Sequence, residues 1–225
     1  MSKKKLQRFA ESATFPNFFQ PSFEEVTKGF RFRGKWSEGF FKNNHPVFLE
    51  LGCGKGEYTV GLALKYPGNN YIGVDIKGAR MWRGAKTAFE ENIANAAFLR
   101  TQIGMIDKFF EANEVKGLWI TFPDPQPQHS RENKRLTSPR FLKFYRHILA
   151  PGAVIHLKTD NAGLFEYTLK IIEQHDHKLI FSTNDLYKET IIPDAGEIQT
   201  FYEKIWLREG CKICLLSFIL NPDEK

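Results

Sequence analysis

One stretch constrains this chain more than any other: Val47-Phe48-Leu49-Glu50-Leu51-Gly52-Cys53-Gly54-Lys55-Gly56-Glu57. The apolar run Val47 to Leu51 reads as a buried strand. It opens directly into alternating glycines, and an amphipathic segment follows. Glycine has no Cβ, so alternating glycines at the mouth of a strand let a ligand approach the backbone closely. In an open parallel sheet, ligands bind outside the carboxyl ends of the strands. The pattern therefore places a small molecule across Glu50 to Gly56. A tight strand-to-helix turn with no ligand is the plain alternative.

The spacing narrows the ligand. A dinucleotide fingerprint is G-x-G-x-x-G with an acid further on. Here the spacing is G-x-G-x-G, and Glu50 precedes the first glycine. A carboxylate beside the turn repels a pyrophosphate. It suits a ligand with positive charge and hydroxyl or amino donors, such as S-adenosylmethionine. The next apolar run, Tyr71-Ile72-Gly73-Val74-Asp75, ends in a carboxylate that can accept from ribose hydroxyls. NAD would use the same group, so Asp75 alone does not separate the two cofactors.

Beyond this point strand and helix patterns alternate. Strands are expected at 47–51, 71–75, 97–101, 118–122, 154–158, 179–182 and 212–220. Helices are expected at 57–66, 79–94, 139–149 and 164–175. Near-continuous apolar strands in β-α alternation mean a mostly parallel sheet covered on both faces. The 225 residues fit one such α/β domain, 46–225, preceded by an arm, 1–45. The arm interleaves Lys3, Lys4, Lys5, Arg8, Arg31 and Arg33 with Phe9, Phe15, Phe18, Phe19, Phe30 and Trp36. Such a mixture either binds nucleic acid or pins the arm onto the domain.

Charge and composition bound the setting. The net charge of +6 is compatible with a polyanionic partner. No run of about 18 apolar residues occurs, so no membrane span is expected. Three cysteines do not form a disulfide framework, and a cytoplasmic location follows as the expectation. Cys211-x-x-Cys214 has no second pair, so core packing is expected there rather than a metal site.

A second chemical stretch follows the fourth expected strand. Thr121-Phe122-Pro123-Asp124-Pro125-Gln126-Pro127 carries three prolines in five residues. They hold the backbone stiff and fix where Asp124 points, beside the expected ligand. The run Gln128 to Arg135 is polar and basic, and Arg140, Lys143, Arg146 and His147 lie on the helix after it. Asp160 ends the fifth strand. Thr200-Phe201-Tyr202-Glu203 packs hydroxyl, aromatic and carboxylate groups together, a set suited to a base or a ribose.

In order, L-E-L-G-C-G-K-G, Y-I-G-V-D, F-P-D-P, H-L-K-T-D-N and T-F-Y-E resemble the bacterial tRNA (guanine-N7-)-methyltransferases. The resemblance runs from about Val47 onward. The glycine stretch marks only the wider class of S-adenosylmethionine-dependent methyltransferases. F-P-D-P with K-T-D and T-x-Y-E is more specific. The resemblance implies a Rossmann-like class I methyltransferase fold, with a seven-stranded sheet whose last strand is antiparallel. It implies methyl transfer from S-adenosylmethionine to N7 of a guanine in the variable loop of tRNA, without a metal. Cofactor contacts then fall on Glu50, Gly52, Gly54, Asp75, Gln102 and Asp124, with Asp124 also catalytic. Substrate contacts fall on Gln128, Asp160, Thr200, Phe201, Tyr202 and Glu203. Three positions depart from the family pattern. Many members have Asp or Asn at Gln102, most have Trp at Gln126, and most have a Lys/Arg-rich run at Gln128-His129-Ser130.

Three other readings remain at this level. A methyltransferase of the same fold on another substrate would have little use for a basic rim. A NAD-dependent oxidoreductase is disfavoured by the glycine spacing. An RNA-binding protein that has lost catalysis would explain the departures at Gln126 and Gln128. The sequence leaves monomer and homodimer open.

Overall fold

The structure, a computed structural model, describes residues 3–189 and 193–222. In chain order the elements are α1 (Lys3–Ser12), β1 (Phe18–Phe19), α2 (Phe23–Thr27), β2 (Val47–Leu51), α3 (Glu57–Lys65) and β3 (Asn70–Asp75). Then come α4 (Gly78–Glu90), β4 (Ala96–Arg100), β5 (Val115–Thr121), α5 (Pro139–Ile148) and β6 (Leu149–Thr159). The chain continues through α6 (Ala162–Gln174), β7 (Lys178–Thr183), α7 (Pro193–Glu197), α8 (Phe201–Arg208) and β8 (Cys214–Ile219).

The strands form one sheet in the order β1-β4-β3-β2-β5-β6-β8-β7. All neighbours from β1 to β6 run parallel, and β8 runs antiparallel to both β6 and β7. From β2 the chain winds outward through β3 and β4, then returns to β5 on the other side of β2. That reversal opens a crevice at the carboxyl ends of β2 and β5, where α/β sheets bind ligands.

Side-chain alternation sorts the core into two layers. Leu49, Leu51, Ile72, Val74, Leu118 and Ile120 pack with α5 and α6 on one face. Tyr71, Phe98 and Trp119 pack with Tyr58 and Leu62 of α3 and Met81 and Ala85 of α4 on the other.

The resemblance implies seven strands, and the described residues form eight. The addition is β1, which pairs Phe18 with Phe98 and Phe19 with Leu99. Two residues carry no periodicity, so this strand is invisible in the sequence. The rest of the N-terminal segment is also tied down. Trp36 is fully buried, stacks on Phe110 with ring centres 5.6 Å apart, and donates its indole N–H to the Phe109 carbonyl at 2.9 Å. Phe19 and Phe30 pack around it. On α1, Glu11 accepts from Trp82 at 2.7 Å and from Lys86 at 2.6 Å on α4. These aromatics are packing residues. Phe23 is the exception, largely exposed on α2.

Ser138 occupies the N-cap of α5; its side chain makes no cap bond and donates to the Asn133 carbonyl at 3.4 Å. Pro139 at the first position sets that helix start. Of the two cysteines near β8, only Cys214 packs in the core; Cys211 precedes the strand and is exposed.

Candidate active site

The glycine loop lies where the crevice predicts. Gly52, Gly54 and Gly56 all have left-handed backbones, with φ of 79°, 55° and 74°. A side chain at Gly56 would also collide with Phe98, 2.4 Å from its Cβ. Around Gly52 and Gly54 the space is open, with nothing nearer than 3.8 Å to an added Cβ. Those two glycines serve the turn and leave room above it.

Glu50 lies at the floor of the crevice, 2 % exposed. The Thr59 backbone N–H donates to it at 2.8 Å, the Thr59 hydroxyl bonds the same oxygen, and the Thr121 hydroxyl bonds the other at 2.5 Å. It therefore joins β2 to α3 and β5. Burial pushes its carboxyl up to about 7, against the hydrogen bonds from Thr121 and Thr59 and with a further push from Asp75. Asp75 accepts from the backbone N–H of Gly54 at 2.9 Å and of Lys77 at 2.8 Å. It fixes the glycine loop to the end of β3. A carboxylate has about four acceptor sites, so two remain for a ligand.

The proline loop faces this floor. Phe122 and Gln126 have positive φ, 48° and 44°, without being glycine. Each costs about 1–3 kcal/mol, and strain of this kind collects at functional sites. The loop is over-determined. Phe122 donates its N–H to the Lys158 carbonyl at 2.8 Å. Arg135 donates to the carbonyls of Pro125 and Gln126 at 3.3 Å and 3.2 Å while its guanidinium lies 4.2 Å from the Tyr167 ring centre. Asp124 is exposed at the turn, and one of its oxygens accepts the Gln126 N–H at 3.0 Å.

The start of α8 closes the third side. Thr200 and Glu203 form a capping box. Glu203 is fully buried and pairs with Lys158, itself fully buried, at 2.6 Å. Lys158 also donates to the Ala195 and Ile198 carbonyls, and Tyr187 donates to Glu203 at 2.7 Å. Burial lowers the Lys158 pKa, and Glu203 opposes that shift. The Phe201 backbone N–H donates to Glu57 of α3 at 2.9 Å, and the Lys55 ammonium sits 4.0 Å from the Phe201 ring centre. Trp206, one turn on, packs between Tyr202 and Phe122.

Together these elements enclose a cleft of about 570 Å³. Of the residues singled out in the sequence, Glu50, Gly52, Gly54, Asp75, Asp124, Thr200 and Tyr202 line it. Five others do not. Gln102 and Gln128 are exposed at the starts of two 3₁₀ turns, 103–108 and 129–134. Asp160 is exposed between β6 and α6. Phe201 stands half exposed over Lys55, and Glu203 is buried beneath the segment it caps. Sequence reasoning missed Thr59 and Thr121, the partners of Glu50. It also missed Arg80 and Trp206, which line the cleft. Trp206 had one signal, its place one helical turn beyond Tyr202.

The cleft suits an adenosyl sulfonium ligand. Carboxylates of Glu50, Asp75 and Asp124 line it, and two glycines leave its floor open. A doubly wound sheet with this crevice is the Rossmann-like frame that class I methyltransferases share. Residues 44–216 match the family described as "Putative methyltransferase". The chain is 51 % identical to the tRNA (guanine-N(7)-)-methyltransferase of Christiangramia forsetii, over 96 % of this chain and 98 % of that one. It is 46 % identical to the enzyme of the same name from Bacteroides fragilis, over 100 % of this chain and 88 % of that one. The chain belongs to the tRNA (guanine-N(7)-)-methyltransferase family. Solved structures share the fold at low identity. A 16S rRNA methyltransferase, KamB, superposes with a TM-score of 0.62 at 14 % identity, covering 91 % of this chain and 96 % of that one. A 30S ribosomal A1408 methyltransferase from an uncultured bacterium gives 0.58 at 16 %, covering 90 % and 96 %.

Proposed function

We propose that this protein transfers a methyl group from S-adenosylmethionine to N7 of a guanine in the variable loop of tRNA. One observation carries the reading. The stiff, strained loop bearing Asp124 faces the glycine loop and Asp75 across one cleft, and an aromatic wall of Phe122, Tyr202 and Trp206 lines or adjoins it.

S-adenosylmethionine supplies an electrophilic methyl carbon on a sulfonium. Asp75 receives ribose hydroxyls, and the open backbone at Gly52 and Gly54 admits the body of the ligand. Glu50 holds the floor through Thr59 and Thr121. N7 of guanine carries a free lone pair, so the residues need to remove no proton before attack. Their work is placement for an in-line displacement. Asp124 accepts from the N1–H and N2–H groups of the guanine edge, which fixes the base. The product ring is cationic, and the same carboxylate stabilises that charge as it develops. Tyr202 and Trp206 offer the base a stacking surface.

The partner is tRNA, and the compartment is the cytoplasm, where three free cysteines stay reduced. Among the described residues no helix is long and apolar enough to cross a membrane. The test is transfer of a labelled methyl group to unmodified tRNA, with the modified base mapped by nuclease digestion and mass spectrometry. The expected product is 7-methylguanosine in the variable loop. No transfer to tRNA, or a methyl group at another atom, overturns the reading.

A further inference from the structure

A second groove lies on the far side of the glycine loop from the cleft floor. It holds about 360 Å³ between α3, α4 and the start of α8. Lys55, Glu57, Arg83, Thr87, Phe201 and Lys204 line it. Lys55 and Glu57 line the cleft as well, so the two spaces share one thin wall.

We infer that this groove is a second RNA subsite, which holds the nucleotide beside the target guanine and the phosphate that joins them. The inference rests on the proposed function and extends it beyond the cleft to Arg83 and Lys204, which no motif marks. Three observations carry it.

The first is unbalanced charge. Arg83 and Lys204 are exposed and have no carboxylate partner among the described residues. Several cations elsewhere are paired: Lys65 with Glu197, Lys86 with Glu11, Arg33 with Glu111, Lys158 with Glu203. Among the described residues the only acid lining the groove is Glu57, and it already accepts from the Phe201 N–H. The groove therefore presents positive charge to a polyanion.

The second is the pair of aromatic neighbours. Tyr202 lines the cleft and Phe201 lines the groove. Their ring centres are 5.5 Å apart and their planes stand at 81°. Two bases stacked on these rings are splayed, as they are where proteins read single-stranded RNA. The third is rigidity. Lys55 covers one face of the Phe201 ring, and Glu57 anchors the Phe201 backbone, so the platform is built before RNA arrives. Phe201 nevertheless remains 50 % exposed, an apolar surface without a cover.

An acidic peptide would meet the same charge. RNA is favoured because the groove shares its wall with the cleft that takes the target base. The subsite is also separate from the basic run of Arg131 and Lys134 that follows Asp124.

The experiment compares wild type with the double variant Arg83→Gln/Lys204→Gln and with Phe201→Ala. Turnover and equilibrium binding of unmodified tRNA are both measured against salt. Affinity for S-adenosylmethionine, by calorimetry, reports that each variant is folded with its cleft intact. The double variant should raise KM for tRNA about tenfold. It should also flatten the plot of log affinity against log salt by about 0.7 for each phosphate lost. Phe201→Ala should weaken tRNA binding about tenfold and leave the slope in place. Variants that bind tRNA with the wild-type affinity and slope overturn the subsite. Wild type that binds tRNA but transfers no methyl group overturns the functional reading instead, and the binding slopes still decide the subsite.

Discussion

At the scale of single residues, the cleft is lined by carboxylates placed in three different environments. Glu50 is buried and triply hydrogen-bonded, Asp75 is tied to backbone amides, and Asp124 is exposed on a rigid turn. Glu50 makes a pH signature. Its carboxyl lies near 7 in the fold against an ordinary value of 4.5, so the folded chain holds this proton more tightly than the unfolded chain. The stabilisation is fully present below pH 4.5 and is lost as pH rises to about 7. The size is about 3 kcal/mol. Urea unfolding of wild type and Glu50→Gln between pH 4 and 8 reads it. Wild type should lose stability relative to the variant across that window, and parallel curves would place the Glu50 titration elsewhere. Asp124 makes a kinetic signature. Asp124→Ala should lower kcat on tRNA by more than it raises KM, because its contact strengthens as charge develops. Steady-state kinetics with both substrates decides this, and wild-type kcat would remove Asp124 from the chemistry.

The elements explain what the sequence could and could not reveal. β2 and the glycine turn were legible because an apolar run meeting alternating glycines has few folds open to it. The places of Asp75 and Asp124 on the cleft were legible because both stand at strand ends, where topology gathers side chains. Glu203 misled because T-F-Y-E is read in one dimension. In the fold its carboxylate turns inward, caps α8 and meets Lys158 of β6. Arg135 stands in a run that reads only as polar and basic, and it acts as a clamp on the proline loop. The Lys158–Glu203 pairing joins residues tens of positions apart, and no local pattern encodes it. The Lys158–Glu203 pair yields a prediction at this scale. Lys158→Ala leaves a buried carboxylate unpaired and should cost about 3–5 kcal/mol. The double variant Lys158→Met/Glu203→Gln removes both charges and should cost clearly less. Chemical denaturation of the two variants tests this, and equal losses would mean that the pair's charges are not what holds α8 down.

At the scale of the molecule, the segment from Phe15 to Phe41 packs into the hydrophobic core on both faces of the sheet. Trp36 packs against Phe109 and Phe110, and β1 extends the sheet beyond β4. We therefore expect a single unfolding transition. Trp36→Ala should lower stability by about 3–5 kcal/mol, the cost of emptying a buried indole site. A truncated chain lacking residues 1–45 should lose cooperative melting in calorimetry. Retention of a sharp transition after truncation would show the segment to be an independent arm.

The edge position of β1 also sets an order of events during synthesis. Phe18 and Phe19 leave the ribosome early, yet their pairing strand ends at Arg100. Trp36 must wait longer, for Phe109 and Phe110. Translation proceeds at about 5–20 residues per second, so these rings spend several seconds without their partners. Ten aromatic side chains fall within residues 9–41, and Lys and Arg are scattered among them. Within the same residues Lys28, Arg31, Arg33 and Lys35 are matched by Glu11, Glu24, Glu25 and Glu38, so polar spacing and not net charge separates the rings until the sheet edge they complete has been made.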